Sequence, residues 1–346
     1  MPSNKRHHYV PRFYLKNFSG DGRSINLFNL DQNRIVRNAS FKTQCYKDYY
    51  YGRNQVLEKL LADIEGESAQ ILAYVVKNRQ LPSTNEQRKK LSIYLMAQHG
   101  RIPNTTAVVS EMRDRLASAV ADIAKETGEA EVQDFSNLDE VLTSVALSIK
   151  PYTYLADLEG RLLLSAPGQE FITSDTPVAS CNSFFSYRPF GDAASFGWRG
   201  YQLVFPISPS LALFLFDSQI YSVKPLQGTP VFQIQNSRDM DQINRVQIAG
   251  AYENVFFQNP DTDITRLAKI FMNKDRSLDR VKVNVMKTGL DKGLIAMQSR
   301  GNKSNLDLSF VSVKSKAKLW LAGFQQQKMQ PTVVMRPSVH LESGES

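Results

Sequence analysis

The stretch HHYVPRFYLKNF, residues 7–18, contains two of the four histidines of the chain together with several aromatic residues and a proline. Successive side chains of an extended segment point to opposite faces, so only one of His7 and His8 enters a shared site easily. Phe13 and Phe18 can anchor the segment on a core. We therefore consider two interpretations: an N-terminal clamp with surface histidines, and a docked segment that delivers an imidazole to a cleft.

This opening resembles the signature of a widespread uncharacterised family of bacterial and fungal domains of unknown function. Further segments are similar to that family in the same order: CYKDYYYG (45–52), LEKLLADIEGESAQIL (57–72), AQHGRIP (97–103), FITSDTPVAS (171–180) and FPISPSLALFL (205–215). The resemblance covers about residues 5 to 258. It implies membership of the family but no particular activity, so every chemical expectation below comes from the residues themselves.

The length predicts one large domain with a smaller C-terminal part, because 346 residues exceed the size at which a single core usually stops growing. We expect a main α+β domain over residues 1–260, a basic extension over 261–324 and a disordered tail over 325–346. The sequence has no apolar run long enough to span a bilayer and no apolar leader. We therefore expect a cytoplasmic protein without a membrane partner.

Several function classes are poor interpretations of this sequence. The two cysteines, Cys45 and Cys181, make no disulfide framework and show no zinc-ligand spacing. A glycine-rich phosphate loop, a Rossmann fingerprint, a nucleophile elbow, an HExxH motif and an EF-hand loop are also absent from the sequence. Kinases and nucleotide-dependent dehydrogenases are therefore disfavoured.

The positive charge of the C-terminal part suggests an acidic partner. Of the net charge of +8, residues 261–346 carry most, with 15 Lys and Arg against 8 Asp and Glu. Such asymmetry is typical of nucleic-acid binding, although ordinary solvation also accounts for it. The candidate contacts with nucleic acid are Lys269, Lys274, Arg276, Arg280 and Lys282.

Two glutamates border the apolar face of the first long predicted helix. Apolar residues recur at spacings of three and four from Leu57 to Val75, which predicts a helix. Glu58 and Glu65 lie seven residues apart at the edge of that face. Partial desolvation suits a carboxylate for acid–base work or for binding a metal ion. The alternative is a pair of boundary glutamates that form ion pairs with surface Lys or Arg.

The second predicted helix places a polar pair where apolar residues are expected. Gln98 falls on the apolar stripe, so its amide needs polar partners in the interior. Arg101 follows three residues later, just before a proline that should end the helix. With Glu65 these residues form a polar constellation between two helices, whereas His99 lies on another face. This constellation is the best internal candidate for a site.

The second half of the chain is richer in predicted strands, so we expect an α+β fold in which a helical bundle packs on a mixed or antiparallel sheet. The N-terminal segment would lie in the crevice between them. Asp175 follows a short strand and precedes a proline, a place where carboxylates are often functional but also form ordinary turns. Beyond residue 260 we predict a basic helix over 264–274, a strand over 279–286 and a strand region over 305–320.

The candidate residues together suit hydrolysis of a phosphodiester. A histidine, His7 or His8, can act as a base, carboxylates can hold Mg²⁺ or Mn²⁺, and Arg101 can stabilise developing anionic charge. The predicted catalytic residues are His7, His8, Glu65, Gln98, Arg101 and Asp175, and the predicted metal ligands are Glu58, Glu65 and Asp175.

The function expected from this set is a nuclease acting on RNA or DNA, as a toxin or antiphage effector. A second hypothesis is a non-enzymatic sensor, or a subunit that binds nucleic acid or a partner protein in a bacterial defence complex. A third is a buried structural network that locks the N-terminal segment onto the helices.

Overall fold

The computed structural model describes residues 5–53, 55–127, 139–185, 196–224, 230–269, 281–287, 293–299, 306–326 and 335–336. The helices are α1 (Arg12–Lys16), α2 (Val56–Asn78), α3 (Asn85–Gly100), α4 (Pro103–Thr127), α5 (Glu140–Ile149), α6 (Thr153–Ala156), α7 (Ser237–Gly250), α8 (Ile264–Ala268) and α9 (Ser315–Gln326). Within these ranges, no helix combines the length and the hydropathy needed to cross a bilayer.

Four of the described strands precede α2. They are β1 (Arg6–His8), β2 (Ser24–Asn29), β3 (Arg34–Ser40) and β4 (Tyr46–Asp48). The later strands are β5 (Glu159–Leu164), β6 (Thr173–Ser174), β7 (Ala179–Cys181), β8 (Gln202–Ser208), β9 (Leu211–Phe216), β10 (Tyr221–Val223), β11 (Val231–Gln233), β12 (Asn254–Phe257), β13 (Val281–Lys287), β14 (Gly293–Ser299) and β15 (Val311–Val313).

Most of the described strands belong to two larger sheets, whereas β1 and β4 form a separate two-stranded sheet. One of the larger sheets has the order β11-β5-β9-β8-β7 and is mixed, because β11 runs parallel to β5 while the other pairs are antiparallel. The other has the order β3-β2-β12-β6 and is antiparallel. The expected α+β fold, with helices mostly in the first half, is confirmed. The sequence did not predict that the early hairpin β2–β3 would join strands from residues 173–174 and 254–257.

The N-terminal segment lies between the helices and the sheets. The hydroxyl of Tyr14, on α1, donates to the carbonyl of Pro206 at 2.7 Å and contacts the hydroxyl of Thr173 at 2.6 Å. The amide of Asn17 donates to the carbonyl of Ile207 at 3.1 Å. Tyr14 is fully buried, so each of these polar contacts replaces one that water would make. The segment is therefore part of the core.

Helix boundaries follow local sequence signals. The hydroxyl of Thr84 accepts from the amide of Gln87 and caps the N-terminus of α3. The apolar spacing from Val141 to Ile149 predicts one helix from about Leu138 to Leu158. The described part of this stretch is instead divided into α5 and α6, and Pro151 lies between them. A proline in a helix interior removes one hydrogen bond and clashes with the preceding turn, which explains the break.

The strand region predicted over residues 305–320 is only partly correct, because residues 315–320 belong to the helix α9. Ala317 and Trp320, three residues apart, both pack on an apolar cluster, which is the spacing of a helix face. The indole ring of Trp320 stacks near Phe184 with 5.8 Å between ring centroids. The strand prediction for this segment was therefore wrong, because its apolar residues follow the period of a helix.

The predicted disordered tail contains two residues that dock on the main domain. Met335 forms an isolated antiparallel β-bridge with Trp198, and the backbone amide of Arg336 donates to the carbonyl of Gly197 at 2.6 Å. The guanidinium of Arg336 is 2 % exposed and forms an ion pair with Asp157. It also donates to the carbonyl of Tyr154 at 2.6 Å. For residues 335 and 336 the expectation of disorder is wrong.

Replacement of Arg336 by alanine should destabilise the protein, because it leaves the mostly buried carboxylate of Asp157 without its cation. We expect a loss of about 3 kcal/mol in the free energy of unfolding at pH 8. Burial raises the pKa of Asp157 to about 6 while Arg336 lowers it, so loss of the arginine raises that pKa further. The carboxyl then binds a proton at pH 5, and the loss should be smaller there.

Urea unfolding of the wild type and of Arg336→Ala at pH 5 and pH 8 measures this difference. Arg238→Ala is the matched control, because its partner Asp307 and Arg238 itself are both mostly exposed. Equal and small effects of the two substitutions at pH 8 would show that the docked arginine does not stabilise the fold.

Candidate functional site

The two adjacent histidines occupy opposite sides of strand β1. This strand pairs antiparallel with β4, so that His7 lies opposite Lys47 and His8 lies opposite Tyr46. His7 is 2 % exposed, whereas His8 is partly exposed. The pairing also carries the peptide of Tyr9 inward, where its amide donates to the carbonyl of Cys45 at 2.9 Å.

The inner histidine, His7, is held by fixed partners. Its Nδ1 accepts from the backbone amide of Tyr51 at 2.9 Å, and its ring stacks on the Tyr51 ring with 5.2 Å between centroids. The Nε2 atom lies 3.5 Å from Oε2 of Glu58, in the first turn of α2. Because Nδ1 is an acceptor, Nε2 carries the proton and faces the carboxylate. This geometry fits a clamp more closely than a base.

The outer histidine, His8, has one nitrogen fixed by the backbone. Its Nε2 donates to the carbonyl of Lys42 at 3.1 Å, which places the lone pair of the neutral ring on Nδ1. Burial lowers the pKa of His8, and the positive charges of Arg12 and Arg6 lower it as well. The Lys42 carbonyl and the charge of Glu65 act in the opposite direction. The ring is therefore neutral near pH 7.

The predicted constellation of Gln98, Arg101 and Glu65 is present. The Nε and Nη2 atoms of Arg101 both donate to Oε1 of Gln98, with Nε at 3.0 Å, and Nη1 donates to Glu65. The amide of Gln98 donates to the carbonyl of Tyr9 at 2.8 Å. Glu65 is 27 % exposed and Arg101 is 1 % exposed. The network thus joins α2, α3 and the N-terminal segment.

Asp175 belongs to a different part of the core. Its two carboxylate oxygens accept from the backbone amides of Tyr252, Glu253 and Asn254 at 2.7 to 2.8 Å. The carboxylate is fully buried, and burial raises its pKa to about 6 although the three amide donors lower it. Asp175 therefore fixes the turn between α7 and β12.

The expected catalytic set is only partly assembled. Gln98, Arg101 and Asp175 are closed off from solvent and hydrogen-bonded within the protein, so the expected catalytic roles of these three residues do not fit this geometry. Over the described ranges, no three or more His, Cys, Asp or Glu side chains are grouped so that they could hold a metal ion. The metal site expected from Glu58, Glu65 and Asp175 is accordingly not formed.

Cations lie over tyrosine rings around the β1–β4 pair. Arg6 lies over the Tyr46 ring with 5.0 Å to the centroid, and Arg53 lies over the Tyr49 ring at 4.5 Å. Lys47 lies over the rings of Tyr50 and Tyr252 at 5.5 and 5.9 Å. Cross-strand partners share one side of a strand pair, so Arg6 and Tyr46 lie on the side of His8, whereas Lys47 lies on the side of His7. The residues on the side of His8, together with Arg12 and Lys42, which interact with its ring, are called the basic–aromatic face: Arg6, Arg12, Lys42 and Tyr46.

The backbone of this face is strained on both sides of β4. Cys45 and Tyr49 both adopt left-handed conformations with φ of 53°, and Gln55 follows with φ of 59°. A left-handed residue other than glycine costs of order 1 kcal/mol and persists only where the surroundings hold it. Such residues gather at functional sites, which adds weight to this face as a site.

Sequence reasoning missed the basic–aromatic face because it averaged charge over too long a window. Residues 1–53 carry ten Lys and Arg against three Asp, whereas residues 1–260 as a whole are almost neutral. The positive charge of the N-terminal part is offset by an acidic excess further along. A count of charged residues over short windows, together with the tyrosines of residues 46–51, indicates a basic and aromatic surface in this part of the chain.

The C-terminal candidates for nucleic-acid contact receive little structural support. Lys269 is exposed directly after α8, and the last part of the helix predicted over residues 264–274 lies outside the described residues. Lys282 lies on β13, where only the backbone is described. The remaining candidates, Lys274, Arg276 and Arg280, lie outside the described residues.

Fold and site together define a class of protein: an α+β domain whose N-terminal strand is locked by a buried Gln–Arg–Glu network and presents a histidine on a basic, tyrosine-rich surface. A family model described as "Protein of unknown function (DUF4238)" matches residues 6–261, and the chain belongs to this family. The expected membership of an uncharacterised family is thus confirmed. Comparisons with curated proteins and with solved structures gave no significant match.

Replacement of Asp175 by asparagine should destabilise the fold. An amide offers a single acceptor oxygen, and its NH₂ group would face backbone amides that already donate. We expect a loss of about 3 kcal/mol in the free energy of unfolding, measured by urea denaturation.

Asp21→Asn provides the comparison, since Asp21 also accepts from two backbone amides but lies on the surface. Its effect on stability should be clearly smaller. An Asp175→Asn protein with unchanged stability would contradict the structural role. Asp175 would then again be a candidate functional residue.

Proposed function

We propose that this protein is a nuclease in which His8 is the general base and the basic–aromatic face binds the substrate strand. The observation that carries the proposal is the state of His8: a partly exposed imidazole, held by the Lys42 carbonyl, with its lone pair on Nδ1. The guanidinium groups of Arg12 and Arg6 lie near enough to lower its pKa. A neutral base surrounded by cations suits an anionic substrate.

The basic–aromatic face supplies both features that single-stranded nucleic acid requires. Arginine and lysine side chains pair with phosphates, and tyrosine rings stack on bases of any sequence. The ring of Tyr46 is partly exposed and lies 5.8 Å from the ring of His8, measured between centroids. A flexible strand can place a phosphate at Arg6 or Arg12 while a base stacks on the Tyr46 ring.

The base at His8 favours RNA as the polymer. Nδ1 of His8 takes the proton of a 2′-hydroxyl, whose oxygen forms a bond to phosphorus as the bond from phosphorus to the 5′-oxygen breaks. The 5′-oxygen leaves with a proton from water, and the product carries a cyclic phosphate. Arg6 and Arg12 offset the charge that develops on the phosphate. Glu65 stabilises the imidazolium, because its charge favours the protonated form of His8.

The setting that we propose is the one expected from the sequence: a cytoplasmic toxin or antiphage effector that meets nucleic acid through its basic surfaces. In this proposal Mg²⁺ or Mn²⁺ binds together with the phosphates of the substrate. The experiment below therefore compares cleavage with and without these ions. The second candidate is a sensor or binding subunit of a defence complex. The basic–aromatic face supports it as well, because binding by this face needs no chemistry at His8.

A cleavage assay with His8→Ala separates the two candidates. Labelled single-stranded RNA, single-stranded DNA and duplex DNA are incubated with purified protein, with EDTA or with Mg²⁺ or Mn²⁺. We expect cleavage of RNA, reduced by at least about 100-fold in His8→Ala because a general base is removed. Binding of the RNA, measured by fluorescence anisotropy, should change little.

His99→Gln is the matched control, since this histidine contacts Phe196 and lies apart from the basic–aromatic face. Circular dichroism establishes that each variant is folded. Salt-sensitive binding without cleavage by the wild type would replace the nuclease with the binding subunit. Full cleavage by folded His8→Ala would remove His8 from the mechanism.

The pH dependence of cleavage tests the state of His8 directly. Only the neutral ring accepts a proton, so the rate should fall on acidification as the imidazole becomes charged. Because burial, Arg12 and Arg6 lower the pKa of His8, the midpoint of this fall should lie below pH 6.5. Replacement of Arg12 by glutamine removes one lowering charge, so the midpoint should move to higher pH. A pH–rate profile measured under single-turnover conditions reports both midpoints, and an unmoved midpoint would contradict the assignment.

A further inference from the structure

A cavity of about 540 Å³ lies away from the basic–aromatic face. It is bounded by the segment between α2 and α3, one side of α3, the short helix α6, and strands β5 and β9. Its apolar lining consists of Leu81, Pro82, Leu91, Leu95, Leu155, Ala156, Leu158, Gly160, Leu213, Leu215 and Pro230. Cavities of this size with mostly apolar walls are typical of sites for small molecules.

The polar lining is confined to a few side chains: Gln80, Ser83, Arg88, Ser92 and Glu159. Arg88 and Ser92 are four residues apart on α3, and so are Leu91 and Leu95, so α3 offers the cavity a polar and an apolar row. A few polar groups beside a leucine-rich wall suit a molecule with a hydrocarbon body and one polar end.

The charged side chains at the cavity indicate whether the polar end of the ligand is anionic or cationic. Glu159 forms an ion pair with Arg161 at 2.6 Å, so its charge is already balanced. The Nε atom of Arg88 donates to the carbonyl of Pro82 at 3.1 Å, a neutral partner that holds the guanidinium at the cavity. Arg88 forms no ion pair with any of the described residues. A guanidinium in this state favours an anionic group, most of all a carboxylate that accepts two parallel hydrogen bonds.

We propose that this cavity binds an amphipathic monocarboxylate of the medium-chain fatty-acid type, with its chain against the leucines and its carboxylate on Arg88. The proposal is independent of the nuclease activity proposed above. Leucine side chains gain free energy from covering a hydrocarbon chain, roughly in proportion to the area removed from water. The single cation then fixes the orientation of the chain.

Calorimetric titration of the full chain with decanoate tests the proposal, with decan-1-ol and decylammonium as probes of the polar end. We expect saturable binding of one decanoate, at least about tenfold tighter than binding of the alcohol or of the ammonium ion, because only the carboxylate pairs with Arg88. Ala156→Phe should weaken decanoate binding by filling the cavity from α6.

Arg88→Gln should weaken decanoate binding by about tenfold and leave decanol binding unchanged. Lys89→Gln is the matched control, because Lys89 is the adjacent exposed cation, lies near the Tyr152 ring and does not line the cavity. Melting temperatures of the variants establish that each is folded. No saturable binding of decanoate by the wild type, equal effects of the two substitutions, or equal affinity for decylammonium would overturn the proposal.

Discussion

A guanidinium held almost entirely away from water is the constraint on which the N-terminal half of this protein depends. Arg101 keeps its charge at any ordinary pH, so its N–H groups require acceptors in the interior. Gln98 accepts from two of its nitrogens and Glu65 from a third. Gln98 in turn donates to the carbonyl of Tyr9. These groups come from α3, α2 and the N-terminal segment. The hydrogen bonds that one buried arginine requires therefore determine where three parts of the chain meet.

The exposed site follows from that buried network. Once the peptide of Tyr9 is held by Gln98, strand β1 has a fixed depth, and its alternation sends His7 inward and His8 outward. Tyr51 adds a second restraint, because its hydroxyl donates to the carbonyl of His8 at 2.8 Å. The clamp interpretation of the opening motif describes His7, and the interpretation as a segment that delivers an imidazole describes His8. One segment serves both, with the inner residue holding the outer one in place.

Local spacing predicted the parts of the site that lie on regular elements. The positions of Gln98 and Arg101 on a helix, and the stripe from Leu57 to Val75 beside Glu65, follow from a known period. The partners of Asp175 could not be predicted in this way. They are backbone amides of residues 252–254, which no side-chain pattern marks and which lie 77 or more residues away. The docking of Arg336 beside Asp157 escaped prediction for the same reason. Long-range pairing of a buried charge is set by the tertiary fold.

A shifted pKa on its own would select the wrong residue as the base. Burial raises the pKa of Asp175 to about 6, a value suited to acid–base work near neutral pH. Its oxygens are nevertheless taken by three backbone amides, and the carboxylate does not reach solvent. Of the residues predicted as catalytic, His8 and Glu65 alone have exposed surface, and His8 also has a lone pair directed by a backbone contact. Access and orientation, and the sign of the pKa shift that accompanies them, are therefore the grounds on which the proposed function assigns the base to His8.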